Sequence, residues 1–130
     1  MIMKTIKYTD YEGVERTESF FFNLSKAELI SMDAEVEGGF KKMIEKVIES
    51  QDPKQIIEIF KDIIYRSYGE KSPDGRRFIK SKELSDGFTQ TEAYSELFME
   101  LATDAAKAEA FIKGIMPADI VNDIKAPQPK

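Results

Sequence analysis

Of the side chains that do most enzymatic work, two are missing: none of the 130 residues is histidine or cysteine. Without cysteine there is no disulfide, no thiolate nucleophile and no thiolate metal site. Without histidine there is no Ser–His–Asp relay, no imidazole acid or base, and no common zinc ligand. The best-spaced remaining groups are Glu92, Glu96 and Glu100, at i, i+4 and i+8 on one face of a helix. Paired carboxylates can move protons or hold metals, but nothing else in the chain completes such a site, and a solvated acidic face is the stronger reading. Asp74-Gly75 matches a fragment of a calcium loop, yet Arg76, Phe78 and Lys80 stand nearby where oxygen ligands are needed. Gly38-Gly39 lacks the Lys-Ser/Thr of a phosphate loop. Lys71, Arg76, Arg77, Lys80 and Lys82 could meet phosphate, but only Phe78 is interleaved among them. A solvated basic loop on an acidic protein is the plainer account. The expectation is a binding protein with no catalytic residue, metal or cofactor.

Composition supports a folded binding module. Apolar residues make up 42% and charged residues 33% of the chain, the balance of a globular protein and not of a disordered one. The length suits one domain with a real core. A net charge of −5 disfavours bulk binding to nucleic acid or to anionic membranes. No apolar run approaches the roughly 20 residues that cross a bilayer. The N-terminus alternates polar and apolar residues, unlike a signal peptide, so a cytoplasmic location is expected.

The elements that would carry such a module follow from periodicity and punctuation. Ile2, Ile6 and Tyr8 alternate with Thr5, Lys7 and Thr9, with Lys4 interrupting the apolar side. Asp10-Tyr11-Glu12-Gly13 supplies a turn, and the β-branched and aromatic residues from Val14 to Leu24 suit a second strand. This predicts a hairpin over 2–24, with Arg16, Glu18, Phe20 and Phe22 on one face and Glu15, Thr17, Ser19 and Phe21 on the other. Ser25-Lys26-Ala27-Glu28 is a capping box, with Leu24 and Leu29 placed as a hydrophobic staple, and it starts a helix to about Val36. Phe40, Met43, Ile44, Val47 and Ile48 predict an amphipathic helix. Asp52-Pro53 starts the next, whose broad stripe of Ile56, Ile57, Phe60, Ile63, Ile64 and Tyr68 marks it as the central helix. The stretch 69–88 reads as connector with a turn at Ser72-Pro73-Asp74-Gly75 and a short helical turn over Ser81–Leu84. Thr89 and Glu92 form a second capping box before the stripe Ala93, Tyr94, Leu97, Phe98 and Leu101. Thr103 or Asp104 caps a last helix lined by Ala105, Ala108, Phe111, Ile112 and Ile115.

The predicted fold is α+β and mostly α, an N-terminal β-hairpin packed on a bundle of about five helices. It forms a single domain over 1–125 (hairpin 2–24, helical part 25–125) with a flexible tail at 126–130. A hairpin alone is marginal in water and has unpaired edges. Phe20, Phe21 and Phe22 beside those edges are candidates for self-association.

The segment Gly75-Arg76-Arg77-Phe78-Ile79-Lys80-Ser81, followed by Phe88-Thr89-Gln90-Thr91-Glu92-Ala93-Tyr94-Ser95-Glu96-Leu97-Phe98-Met99-Glu100-Leu101-Ala102 and by Ala110-Phe111-Ile112, resembles the tail assembly chaperones of long-tailed phages and prophages of Gram-positive bacteria. The resemblance implies a helical protein that self-associates and coats the tape measure protein until the tail tube polymerises around it. It also implies a longer, frameshifted form with a C-terminal extension. It brings no catalytic residues. A coat protein of this kind needs an adaptable apolar surface. Phe98, Met99 and Met116 are the candidate client-binding residues, with Met99 and Met116 at the rim of a groove between the Thr89–Ala102 and Asp104–Met116 helices. Glu92, Glu96 and Glu100 would keep that groove soluble and meet basic client residues. Two alternatives remain at this level: a nucleic-acid-associated or regulatory phage protein using the basic turn 71–82, and a structural tail component retained in the virion.

Overall fold

A computed structural model describes residues 1–35, 42, 45, 49 and 53–117. The elements run β1 (Ile2–Thr9), β2 (Glu15–Phe22), α1 (Lys26–Glu35), α2 (Pro53–Ser67), β3 (Tyr68–Lys71), β4 (Phe78–Ile79), α3 (Lys82–Thr89), α4 (Glu92–Thr103) and α5 (Ala105–Ile115). The fold is α+β and mostly α, with the expected N-terminal antiparallel hairpin. Lys42, Glu45 and Glu49 are helical; the rest of the helix expected from Phe40 to Glu49 lies outside the described residues, as do the Asp52 cap and the tail at 126–130.

The hairpin closes as its turn chemistry dictates. Gly13 takes φ 82, and the Asp10 carboxylate accepts from the amides of Glu12 and Val14. Ile2 pairs with Phe22 and Tyr8 with Arg16, which puts the two predicted apolar sides on one face. Lys4, the interruption on that face, donates to the Glu100 carboxylate of α4 at 2.8 Å, so its charge is met where the helix crosses.

The expected connector after α2 is instead a second hairpin. The helix ends at Ser67, and Tyr68, placed by its spacing on the helical stripe, begins β3. β3 pairs with β2 at Phe21↔Gly69 and Phe22↔Tyr68, and β4 pairs with β3, giving a four-stranded antiparallel sheet in chain order. Helix passes into strand without a glycine stop because outside donors satisfy the last carbonyls of α2. Ser85 Oγ donates to Tyr65 O, Lys80 Nζ to Arg66 O, and the Asn23 amide to Ser67 O. Gly69 is required by space: a Cβ there would lie 2.6 Å from the Phe78 ring and 2.7 Å from Ile79 O. The expected short turn at Ser81–Leu84 is a full helix, α3, capped by Ser81 and running to Thr89. Thr89 therefore ends one helix, and Thr91 rather than Thr89 caps α4, accepting from the Tyr94 amide. Asp104 caps α5.

The core forms between the inner sheet face and the helices. Phe22 has no exposed surface; its ring meets Phe111 at 5.3 Å, Phe88 at 5.6 Å and Tyr68 at 5.7 Å. Tyr68 stacks on Phe88 at 4.5 Å. Phe60, Ile63 and Ile64 of α2, Leu97 and Leu101 of α4, and Ile112 and Ile115 of α5 complete it. Ile57, expected on the buried stripe of α2, and Ala105, expected on that of α5, are exposed. The Leu24 amide donates to Ile115 O at 2.7 Å, joining the exit of the hairpin to the end of the last helix.

Candidate client-binding surface

The apolar residues singled out in the sequence separate into two groups. Phe22 lies at the centre of the core and Met116 is 3% exposed, so neither offers a surface to another molecule. Phe20 is half-buried against Phe88 at 5.1 Å and Tyr8 at 6.5 Å, again on the inner face. Alternation in β2 turns Phe21 to the opposite face, where the Lys71 ammonium sits 4.6 Å from its ring centroid. The edge of β2 beside these residues is not free either, since β3 pairs with it at Phe21 and Phe22. Phe98 is half-buried, packed against the core and 6.0 Å from Tyr94. Met99, one position on, is 57% exposed. Of the three candidate client-binding residues, then, Met99 alone is open, because a 100° step along α4 from Phe98 carries it off the face that holds Leu97 and Leu101.

Around Met99 the start of α5 and strand β1 both come close to α4. Met99 lines a groove of about 470 Å³ between α4 and β1, together with Thr5, Lys7, Glu96, Thr103 and Lys107. The acidic row of α4 lies on the same side and is partly engaged within the chain. Glu92 accepts from the Tyr11 hydroxyl at 2.8 Å, and that bond pushes the Tyr11 phenol above its usual range. Glu100 is held by Lys4 at 2.8 Å. Asp104 spends an oxygen on the amides of Ala106 and Lys107. Glu96, exposed between them, makes no hydrogen bond or ion pair among the described residues. Sequence spacing located this row and Met99, but not β1 as the opposite wall, which needed the tertiary placement of the hairpin.

The basic turn is largely occupied by the fold. Lys80 Nζ donates to Asn23 O, Arg66 O and Glu28 Oε2, and Lys82 pairs with Asp86 at 2.7 Å. In the Lys80–Glu28 pair both groups titrate low, for different reasons. Burial would raise Glu28, but the bonds from Lys80 and the Ser25 amide outweigh it. Burial lowers Lys80, and Glu28 offsets only part of that. The ammonium side chain, 19% exposed against 38% for the carboxylate, carries more of the desolvation. Arg76 and Arg77 remain exposed on the turn, beside Gly75 at φ 74. Among the described residues no group of three or more carboxylates could hold a metal ion, and no helix is long and apolar enough to cross a membrane.

A family model for phage tail assembly chaperones matches residues 1–130. The chain belongs to this family. No curated protein and no solved structure matches it. For a tail assembly chaperone, an exposed methionine beside an unpaired carboxylate on an otherwise well-packed helix is the kind of surface that could meet a partner: the thioether adapts to varied apolar shapes and the carboxylate selects for cations.

Proposed function

We propose that the protein is a non-enzymatic chaperone that binds and coats the tape measure protein before the tail tube polymerises. The observation that carries this is the match of the whole chain to the tail assembly chaperone family. The surface around Met99 in the groove between α4 and β1 is the part that meets the client. A long client exposes apolar segments again and again along its length. Weak contacts repeated along such a chain add up when the coat subunits also touch one another. Self-association accordingly belongs to the same reading, as do a longer frameshifted form sharing these residues and a place of action in the host cytoplasm. The engagement of Lys80 and Lys82 within the fold weighs against the basic turn as a nucleic-acid surface.

Co-expression with the tape measure protein of the same phage tests the reading. The wild-type chain is expected to keep the client in the soluble fraction. Met99→Asp is expected to stay folded, because an exposed position tolerates a change to within about 0.5 kcal/mol, and to lose that protection. A client that is equally soluble without the chaperone sinks the role. A folded Met99→Asp variant that still protects moves the contact elsewhere.

A further inference from the structure

We propose that the outer edge of β1 takes an extended segment of the client, which adds to the sheet as a further strand beside Met99; this rests on the client-binding reading above. The hairpin register determines which backbone groups face outward. The Asp10 amide donates to Val14 O, and the pairs Tyr8↔Arg16, Ile6↔Glu18 and Lys4↔Phe20 follow at two-residue steps as the hydrogen-bonded ones. Met3, Thr5, Lys7 and Thr9 therefore point their N–H and C=O groups away from β2. Among the described residues no strand pairs with them.

An open edge is usually blunted by proline, a bulge, charged side chains or a covering element; of these, β1 carries one charge among its outward-pointing residues, Lys7. Here the register with β2 runs unbroken from Ile2 to Thr9, and the outer side of the strand opens on the groove walled by α4. A strand laid there would send alternate side chains towards α4 and the others towards solvent. The side facing α4 would find Met99, suited to an apolar residue, and Glu96, suited to a lysine or arginine. Glu96 is the carboxylate of that wall left without a partner among the described residues, since Lys4 holds Glu100 and Asp104 caps α5. Lys7 and Lys107 line the same groove, so the occupant is an extended stretch that carries an apolar residue for Met99, a basic residue for Glu96 and an acidic one for the lysines. A second copy fits less well. A two-fold pairing of β1 with β1 would bring the α4 helices of both copies together, each with an unpartnered Glu96. Backbone pairing supplies binding in such complexes, and the side-chain sites supply selectivity.

Amide hydrogen exchange on the full chain, alone and in the co-purified complex with the tape measure protein, tests this. The Thr5 and Lys7 amides are expected to slow by on the order of tenfold or more in the complex. Ile6 and Tyr8, already bonded to β2, should not change. Lys7→Pro removes an outward donor and no hairpin bond, so it should lower recovery of the complex by roughly fivefold, while Lys7→Ala keeps it. If Lys7→Pro also loses protection at Ile6 and Tyr8, the wild-type exchange decides alone. A complex in which Thr5 and Lys7 exchange freely overturns the edge site and leaves the client reading standing. Slowing that appears on concentrating the chaperone without client also overturns it, because the occupant is then a second copy. Failure of the wild-type chain to form any complex overturns both.

Discussion

The N-terminal hairpin has two long edges, and the fold treats them differently. The β2 edge is taken up at its C-terminal end. There β3 pairs with Phe21 and Phe22, Asn23 bonds to the end of α2, and Leu24 to the end of α5. The β1 edge has no strand beside it among the described residues and faces a groove instead. The same alternating pattern thus serves a closed seam on one side and an open one on the other. What separates them is what the rest of the chain lays beside each edge: β3 pairs with β2 at Phe21 and Phe22, whereas no described strand reaches Thr5, Lys7 and Thr9.

The largest effect should come from emptying the closed seam. Phe22→Ala removes a ring that touches β3, α3 and α5 at once, and a loss of about 3–5 kcal/mol is expected in urea unfolding. A loss below about 1 kcal/mol would mean that the surrounding rings collapse onto the gap and that the seam does not depend on this residue. Gly69→Ala attacks the same seam through the backbone. The new methyl meets Ile79 O as well as the Phe78 ring, so a destabilisation of about 1–3 kcal/mol is expected from thermal melting. An unchanged midpoint would show that β4 shifts freely.

A smaller, pH-dependent effect sharpens the comparison. Glu28 titrates below its ordinary value of 4.5 in the folded state. The folded carboxylate then binds a proton less readily than the unfolded one. Its contribution is complete above 4.5 and is lost as pH falls through the lower folded value. Melting temperature measured on acidification should fall less steeply for Glu28→Gln than for wild type; identical acid limbs would dissociate the Lys80–Glu28 pair from stability. The smallest effect belongs to the open side. Lys7→Pro alters only an outward amide, and edge strands tolerate proline, so folding stability should change by less than about 1 kcal/mol. A loss as large as that of Gly69→Ala would show that the proline disturbs the pairing of Ile6 and Tyr8 with β2 and not the outward amide alone.

Much of this was legible in the sequence where local chemistry decides structure. The Asp10–Gly13 turn, the two faces of the hairpin and the Ser25/Glu28 box all follow from short-range bonds; the Ser25 amide donates to Glu28 at 2.8 Å and the Glu28 amide to Ser25 at 3.2 Å. What escaped depends on distant partners. Tyr68 falls at i+4 from Ile64 and so continues the helical stripe, and nothing local shows that Asn23, Lys80 and Ser85 will terminate the helix before it. Thr89 and Glu92 have the spacing of a capping box, but α3 runs on to Thr89, whose hydroxyl donates to Asp86 O, and Thr91 becomes the cap of α4. For the surface, spacing along α4 found Met99 and the acidic row. It could not tell Met99 from Met116, because a methionine's burial is set by what the rest of the chain lays over it.

The distance along the chain between Phe22 and its partners matters during synthesis. The hairpin can close as soon as its own residues have emerged, since its pairs are local. Tyr68 and Phe88 follow only much later, and Phe111 stands near the end of the described chain. Throughout that interval the growing polypeptide displays Phe20 and Phe22 on an uncovered ribbon, in a cell filled with other nascent chains. Lys4 and Lys7, spaced along the neighbouring strand, put charge beside those rings, and flanking charge of that kind discourages premature pairing. The chain therefore carries, in its first strand, charge that guards its own production.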